Sequence, residues 1–120
     1  MTRTVWFAIA TLLLMLGQPG VTVCGRERTR VQSFAEVNGT RLSYEIVGRG
    51  PAVILIHGGL VDSRLWDDQM NDFSKRCRVV RYDLRGFGKS AEALEPFSHI
   101  EDLRALLDFL KTERATIVGL

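Results

Sequence analysis

The sequence predicts an α/β fold: a mostly parallel sheet with helices on its faces, entered through an N-terminal β-hairpin. Three observations carry this. Ala52-Val53-Ile54-Leu55-Ile56 is continuously apolar, as strands buried on both faces of a parallel sheet are. Runs of strand length then alternate with stretches of helical periodicity, giving the order β-β-β-α-β-α-β. Finally, two of the strand-like runs stop at glycine-rich segments, His57-Gly58-Gly59 and Asp83 to Ala91. Alternation of this kind implies right-handed crossovers between parallel strands.

Taken in order, the chain opens with one cation, Arg3, followed by an apolar run from Val5 to Leu16 and a break at Gly17-Gln18-Pro19-Gly20. A basic start, a short apolar core and a small-residue exit describe a secretory signal peptide over 1–25, cut after Gly25 with Val23 and Gly25 at the small-residue positions. The run is shorter than the roughly 20 residues that span a bilayer. An uncleaved anchor and lipidation of Cys24 are the alternatives. Removal of the segment predicts a secreted or periplasmic protein with no stable membrane insertion. Residues 26–33 then read as a charged linker and 34–120 as a single partial domain.

Within that domain, Asn38-Gly39 separates two alternating runs and supplies the positive-φ pair that a tight hairpin demands. Asn38-Gly39-Thr40 also fits a glycosylation pattern, but the turn reading explains it better. After the Ala52–Ile56 strand, a helix is expected from about Arg64 to Lys75 with Ser63 as its N-cap. Cys77 to Tyr82 reads as a strand. Ser98 stands three residues before Glu101, the capping-box spacing, and Ile100, Leu103, Leu106, Leu107 and Leu110 recur at helical intervals. Ala115 to Val118 reads as the last strand.

Composition excludes several classes. The net charge is +2 over 120 residues, and no Lys/Arg cluster is interleaved with aromatics, so nucleic acid is not a partner. Two cysteines, one of them in the signal segment, form no disulfide framework, which leaves Cys77 as a small core or strand-edge residue. No metal-ligand cluster or redox motif appears, and no cofactor is implied.

Two segments carry chemistry. The first is His57-Gly58-Gly59-Leu60 at the carboxyl end of a buried strand, where open α/β sheets gather their ligands. Successive glycines let the backbone turn and approach a substrate, and main-chain N–H groups there can stabilise an oxyanion. His57 lies before the glycines with no acidic neighbour in sequence, and reads as a buttress of the loop rather than a general base. The second segment is Asp83-Leu84-Arg85-Gly86-Phe87-Gly88-Lys89-Ser90, in which Asp83 and Arg85 could pair across the loop while Gly86 and Gly88 permit its bends. Gly88-Lys89-Ser90 also ends like a P-loop, but the motif's first glycine would fall on Asp83, whose carboxylate repels a triphosphate.

H-G-G, a tryptophan at Trp66, D-x-R-G-x-G-x-S, a helix and a strand ending in V-G together resemble the α/β-hydrolase fold superfamily over Phe34 to Leu120. The likeness is to single-domain esterases, C–C bond hydrolases and epoxide hydrolases. It implies that Gly59 is an oxyanion-hole donor flanked by Gly58 and Leu60. It also implies structural roles for His57, Trp66, Asp83, Arg85, Gly86, Gly88 and Ser90. Ser90 lacks the strand-turn-helix elbow of a nucleophile. Gly119-Leu120 matches the start of G-x-S-x-G, which places the nucleophile, a serine or in some relatives an aspartate, after Leu120, with the acid and catalytic histidine following in chain order. His99 then reads as a solvated helix-start residue. The expectation is the N-terminal portion of a hydrolase acting on a small-molecule ester, amide or similar bond, inactive by itself. A non-catalytic binding module with this partial fold is the alternative, and a nucleotide binder a remote one.

Overall fold

The computed structural model describes residues 28–120; the signal segment, Cys24 and the first part of the charged linker lie outside the described residues. The element order is β1 (Arg30–Val37), β2 (Thr40–Val47), β3 (Ala52–Ile56), a 3-10 turn (Ser63–Trp66), α1 (Asp67–Phe73), β4 (Arg78–Tyr82), α2 (His99–Phe109) and β5 (Ala115–Gly119). The five strands form one sheet in the order β1-β2-β4-β3-β5. β1 with β2 and β2 with β4 are antiparallel, while β3 runs parallel to both β4 and β5.

The hairpin closes as its sequence demands. Asn38 and Gly39 hold φ of 48° and 69°, the left-handed pair of a two-residue turn matched to strand twist. The Asn38 side-chain amide donates to Asp102 at 2.7 Å, so that the turn is tied to α2. β1 begins at Arg30, inside the stretch read as linker. Its first five residues are exposed, and it is held by ladder pairing to β2 rather than by burial.

β3 and β4 bury side chains on both faces. Ile54, Val80 and Tyr82 join Ala35, Leu42 and Leu106 on the α2 side; Leu55 and Val79 join Val47, Trp66 and Met70 on the α1 side. Each fully buried aliphatic contributes about 1.5–3 kcal/mol relative to exposure, so these two layers are the main stabilising term. The chain leaves β3 for β4 on one side and then returns past β3 to β5 on the other. With α1 and α2 on opposite faces, both crossovers have the same hand.

Beyond the start of β1, three boundaries differ from the sequence reading. The helix expected over Arg64 to Lys75 is a 3-10 turn followed by a seven-residue α1, and its N-cap is Asp62, whose carboxylate accepts from the Arg64 N–H at 2.9 Å. Ser63 is itself the first residue of the 3-10 turn, inside the element rather than at its cap, and its N–H donates to Asp83. The imperfect apolar spacing of this segment has the same origin: only Trp66 and Met70 are buried, and the tighter first turn brings Trp66 onto the sheet. β4 starts at Arg78 rather than Cys77, since the Cys77 N–H closes the turn after α1 by donating to the Phe73 carbonyl. β5 extends one residue further, to Gly119. α2 is capped as expected, with Ser98 Oγ accepting from the Glu101 N–H at 3.4 Å.

Candidate active site

The carboxyl ends of β3, β4 and β5 converge on one hollow of about 410 Å³. Its floor is Ile56, His57, Gly58 and Gly59 after β3. Tyr82, Leu84 and Phe87 come from β4 and the loop after it, His99, Ile100 and Leu103 from α2, and Leu120 from the end of β5. This is the crevice that a sheet of this winding opens beyond its strand ends. Burial pushes the Tyr82 phenol well above its usual range, and the charge of Asp102 adds to the effect, so the ring meets the hollow as a neutral group. His99 is exposed, as its helix-start position suggests, and it also lies on the rim of the hollow, edge-on to Phe97 at 4.8 Å between ring centres.

Gly58 is half-buried and Gly59 exposed. Neither has a left-handed φ; the left-handed residue of this turn is Leu60, at 68°, and its side chain is almost wholly exposed. The turn therefore does not need the two glycines for conformational freedom, contrary to the expectation from sequence. A Cβ at Gly58 would meet the Leu120 carbonyl at an ordinary 3.5 Å, and one at Gly59 would meet nothing within 4 Å. What a side chain at Gly59 would fill is open space above the backbone. Among the described residues no hydrogen bond engages the N–H of Gly58, Gly59 or Leu60. The Gly58 and Gly59 amides border the hollow with unspent donor capacity, while Leu60 lies outside its lining.

His57 is 1% exposed. Its Nε2 accepts from the Leu84 N–H at 3.0 Å and its Nδ1 lies 2.8 Å from the Gly58 carbonyl oxygen. Phe87 packs edge-on against the ring at 5.5 Å. With both nitrogens occupied by the backbone, His57 has no free position from which to abstract a proton from a ligand.

The Asp83–Ser90 loop is wired differently from the expectation. Asp83 and Arg85 do not pair. The Asp83 carboxylate accepts from the N–H groups of Ser63 at 2.9 Å and Lys89 at 2.8 Å, tying the loop after β4 to the segment after β3. Gly88 is required there: with φ of 50°, its Cβ would sit 2.3 Å from that carboxylate. Arg85 instead reaches α2, where its Nε and Nη2 bind the two oxygens of Asp102 at 3.0 and 2.6 Å. Its Nη2 also donates to the Asn38 carbonyl, and its guanidinium lies over the Phe97 ring. Asp102 is 1% exposed, too far inside to be left without this fork. A bidentate fork of this kind satisfies both oxygens, which the short i to i+2 span from Asp83 to Arg85 did not achieve. Ser90 Oγ donates to the Asp83 carbonyl at 2.5 Å and accepts from the Ser43 N–H at 2.9 Å, so the hydroxyl is locked between backbone groups. The P-loop reading also fails here, because the Lys89 amide that would face a phosphate is bound to a carboxylate.

Sequence reasoning missed two buried charge clusters. Asp102 follows Glu101 in the first turn of α2 and nothing in the sequence around it marks it as buried. Arg81, 7% exposed, binds Glu45 at 2.8 Å, Asp67 at 2.5 Å and the Ser63 carbonyl at 3.0 Å, and Arg30 also pairs with Glu45. A cation in the middle of a strand buried on both faces was the available signal, since such a group requires a buried partner. A second hollow, of about 440 Å³, lies beside this cluster. Its principal charges, Glu45, Arg81 and Asp83, are already paired with protein groups, so it presents little unspent binding capacity. Among the described residues no cluster of His, Cys, Asp and Glu could hold a metal ion, and no helix is long and apolar enough to cross a membrane.

Residues 51–120 match the family described as alpha/beta hydrolase fold. The chain belongs to that family. An epoxide hydrolase of Caballeronia sordidicola is 39% identical over 88 residues, covering 68% of this chain and 27% of that protein. A pimeloyl-[acyl-carrier protein] methyl ester esterase of Vibrio campbellii is 34% identical over 71 residues, 59% of this chain and 26% of the esterase. Among solved structures, the enol-lactonase from Burkholderia xenovorans LB400 superposes with a TM-score of 0.70 at 37% identity, over 73% of this chain and 36% of the lactonase. The chain thus spans about a quarter of the length of these two curated relatives.

Proposed function

We propose that the protein is the N-terminal portion of a hydrolase for small-molecule esters, lactones or related acyl compounds, with the hollow at the ends of β3, β4 and β5 as one wall of its active site. The observation that carries this reading is the pair of unengaged amides at Gly58 and Gly59, with no Cβ over Gly59 and open space in front of it. Attack on a carbonyl throws negative charge onto its oxygen, and a preset N–H aimed at that oxygen lowers the barrier. Gly59 is the donor, with Gly58 and Leu60 shaping the turn. The nucleophile in this proposal is a serine directly after Leu120, and the acid and histidine follow it. The full chain is exported by residues 1–25. The esterase and lactonase relatives support acyl chemistry; the epoxide hydrolase relative supports small-molecule hydrolysis more broadly.

The test is hydrolysis of a nitrophenyl ester series by the purified full-length protein and its Gly59→Ala variant. A Cβ there meets no protein atom, so the variant should unfold within about 0.5 kcal/mol of wild type. Its N–H is retained, but the added methyl occupies the open space in front of that amide where the reacting carbonyl must sit, so kcat should nevertheless fall roughly tenfold or more. A full-length protein inert to the whole series, or a Gly59→Ala variant of undiminished kcat, would overturn the proposal.

A further inference from the structure

The geometry points to His57 as a positioning residue that, under the control of the loop after β4, locks the Gly58–Gly59 peptide in the orientation that presents the Gly59 N–H. This rests on the reading of Gly59 as an oxyanion donor given above. The Leu84 N–H donates to Nε2 at 3.0 Å. A ring nitrogen that accepts carries no hydrogen, so the imidazole is neutral with its hydrogen on Nδ1, and Nδ1 donates to the Gly58 carbonyl 2.8 Å away. In a trans peptide the carbonyl of one residue and the N–H of the next point in opposite directions. Holding the Gly58 carbonyl toward the imidazole therefore turns the Gly59 N–H away from it.

A lock matters at this position for a reason visible in the sequence. Glycine on both sides of one peptide leaves its plane nearly free to rotate, since neither flanking residue has a Cβ to oppose it. The protein supplies the missing restraint from elsewhere. His57 is 1% exposed and Phe87 covers its ring, so water does not compete for either nitrogen. Leu84 is itself fixed: its neighbour Asp83 is bound at both oxygens, and its neighbour Arg85 is forked onto Asp102. The loop that reads as merely structural thus selects the tautomer, and the tautomer orients the donor.

Two measurements on the full-length protein, labelled uniformly with ¹⁵N, test this. The ring nitrogens of His57 should report a neutral imidazole with hydrogen on Nδ1. His57→Gln removes the group at Nδ1, whereas His57→Asn keeps an amide N–H close to that position. The residual dipolar coupling of the Gly59 N–H should change in His57→Gln while couplings along β3 persist, and should stay near wild type in His57→Asn. The kcat of His57→Gln should drop roughly tenfold to a hundredfold, with KM little changed and partial rescue in His57→Asn. A hydrogen found on Nε2, or a Gly59 coupling unmoved in a folded His57→Gln, would overturn the lock. The tautomer measurement decides the matter even where His57→Gln does not fold. A confirmed lock beside a fully active Gly59→Ala would sink the oxyanion reading and leave the lock standing.

Discussion

At the scale of single residues, charge placement is where sequence reading and structure part. Asp83 and Arg85 are two residues apart and of opposite sign, yet each finds its partner elsewhere: backbone amides for the acid, a helix carboxylate for the base. A sequence shows which groups need partners but not which partners the fold brings near. Asp62 and Arg64 are a local pair that did form, with Arg64 donating bidentately, Nε to Oδ1 and Nη2 to Oδ2. That hydrogen bonding holds the Asp62 carboxyl down to about 2 from the ordinary 3.8. A depressed carboxyl contributes stability above its unfolded value and loses it as pH falls through the folded one, so the contribution fades between about pH 4 and pH 2. The pair faces solvent, so the energetic effect is small, and the titration itself is the better readout. A carboxyl-detected NMR titration should give a midpoint near 2 for Asp62, rising toward 3.8 in Arg64→Ala. An unchanged midpoint would show that the backbone N–H of Arg64 alone sets it.

At the scale of elements, strands and the second helix were legible because their signals are local. Ser98 caps α2, Leu106 is fully buried at its centre, and Asn38-Gly39 closes the hairpin. The segment after β3 was not, because a 3-10 turn and a short helix share one run in which only Trp66 and Met70 are buried. How α2 is fastened was also hidden. Asp102 gathers the β1–β2 turn through Asn38 and the loop after β4 through Arg85, so one carboxylate joins three elements. Asp102→Ala should therefore destabilise the protein by about 3–5 kcal/mol in urea unfolding, the cost of leaving a buried cation without its partner. Asp102→Asn should cost less, since an amide oxygen still accepts from Arg85. A loss below about 1 kcal/mol for Asp102→Ala would mean that α2 is held by its leucines alone.

At the scale of the whole molecule, the sheet order β1-β2-β4-β3-β5 brings together segments that are distant in sequence. His57 to Gly59, Leu84 and Phe87, Ile100 and Leu103, and Leu120 share one hollow because three parallel strands end on the same side. Export belongs to this scale too, since it concerns the chain that reaches its destination. In the proposed reading the mature protein begins at Arg26, and N-terminal sequencing of the exported full-length product checks it. Retention of Met1 would favour an uncleaved anchor, and an acyl chain on Cys24 would favour lipidation.

The amino-acid sequence by itself determined the strand and helix periods, the hairpin turn, the cap of α2 and the glycines that open the backbone beside the hollow. Each of these is set by interactions over a few residues, which any chain carrying those letters will make. Tertiary structure decided which carboxylate meets which guanidinium, which residue bears the left-handed turn after β3, and how His57 is held from both nitrogens. The decisive contacts are long-range: 14 positions separate Arg81 from Asp67, 27 separate Leu84 from His57, and 64 separate Asn38 from Asp102. A buried polar group bonds whatever the packed strands place within reach.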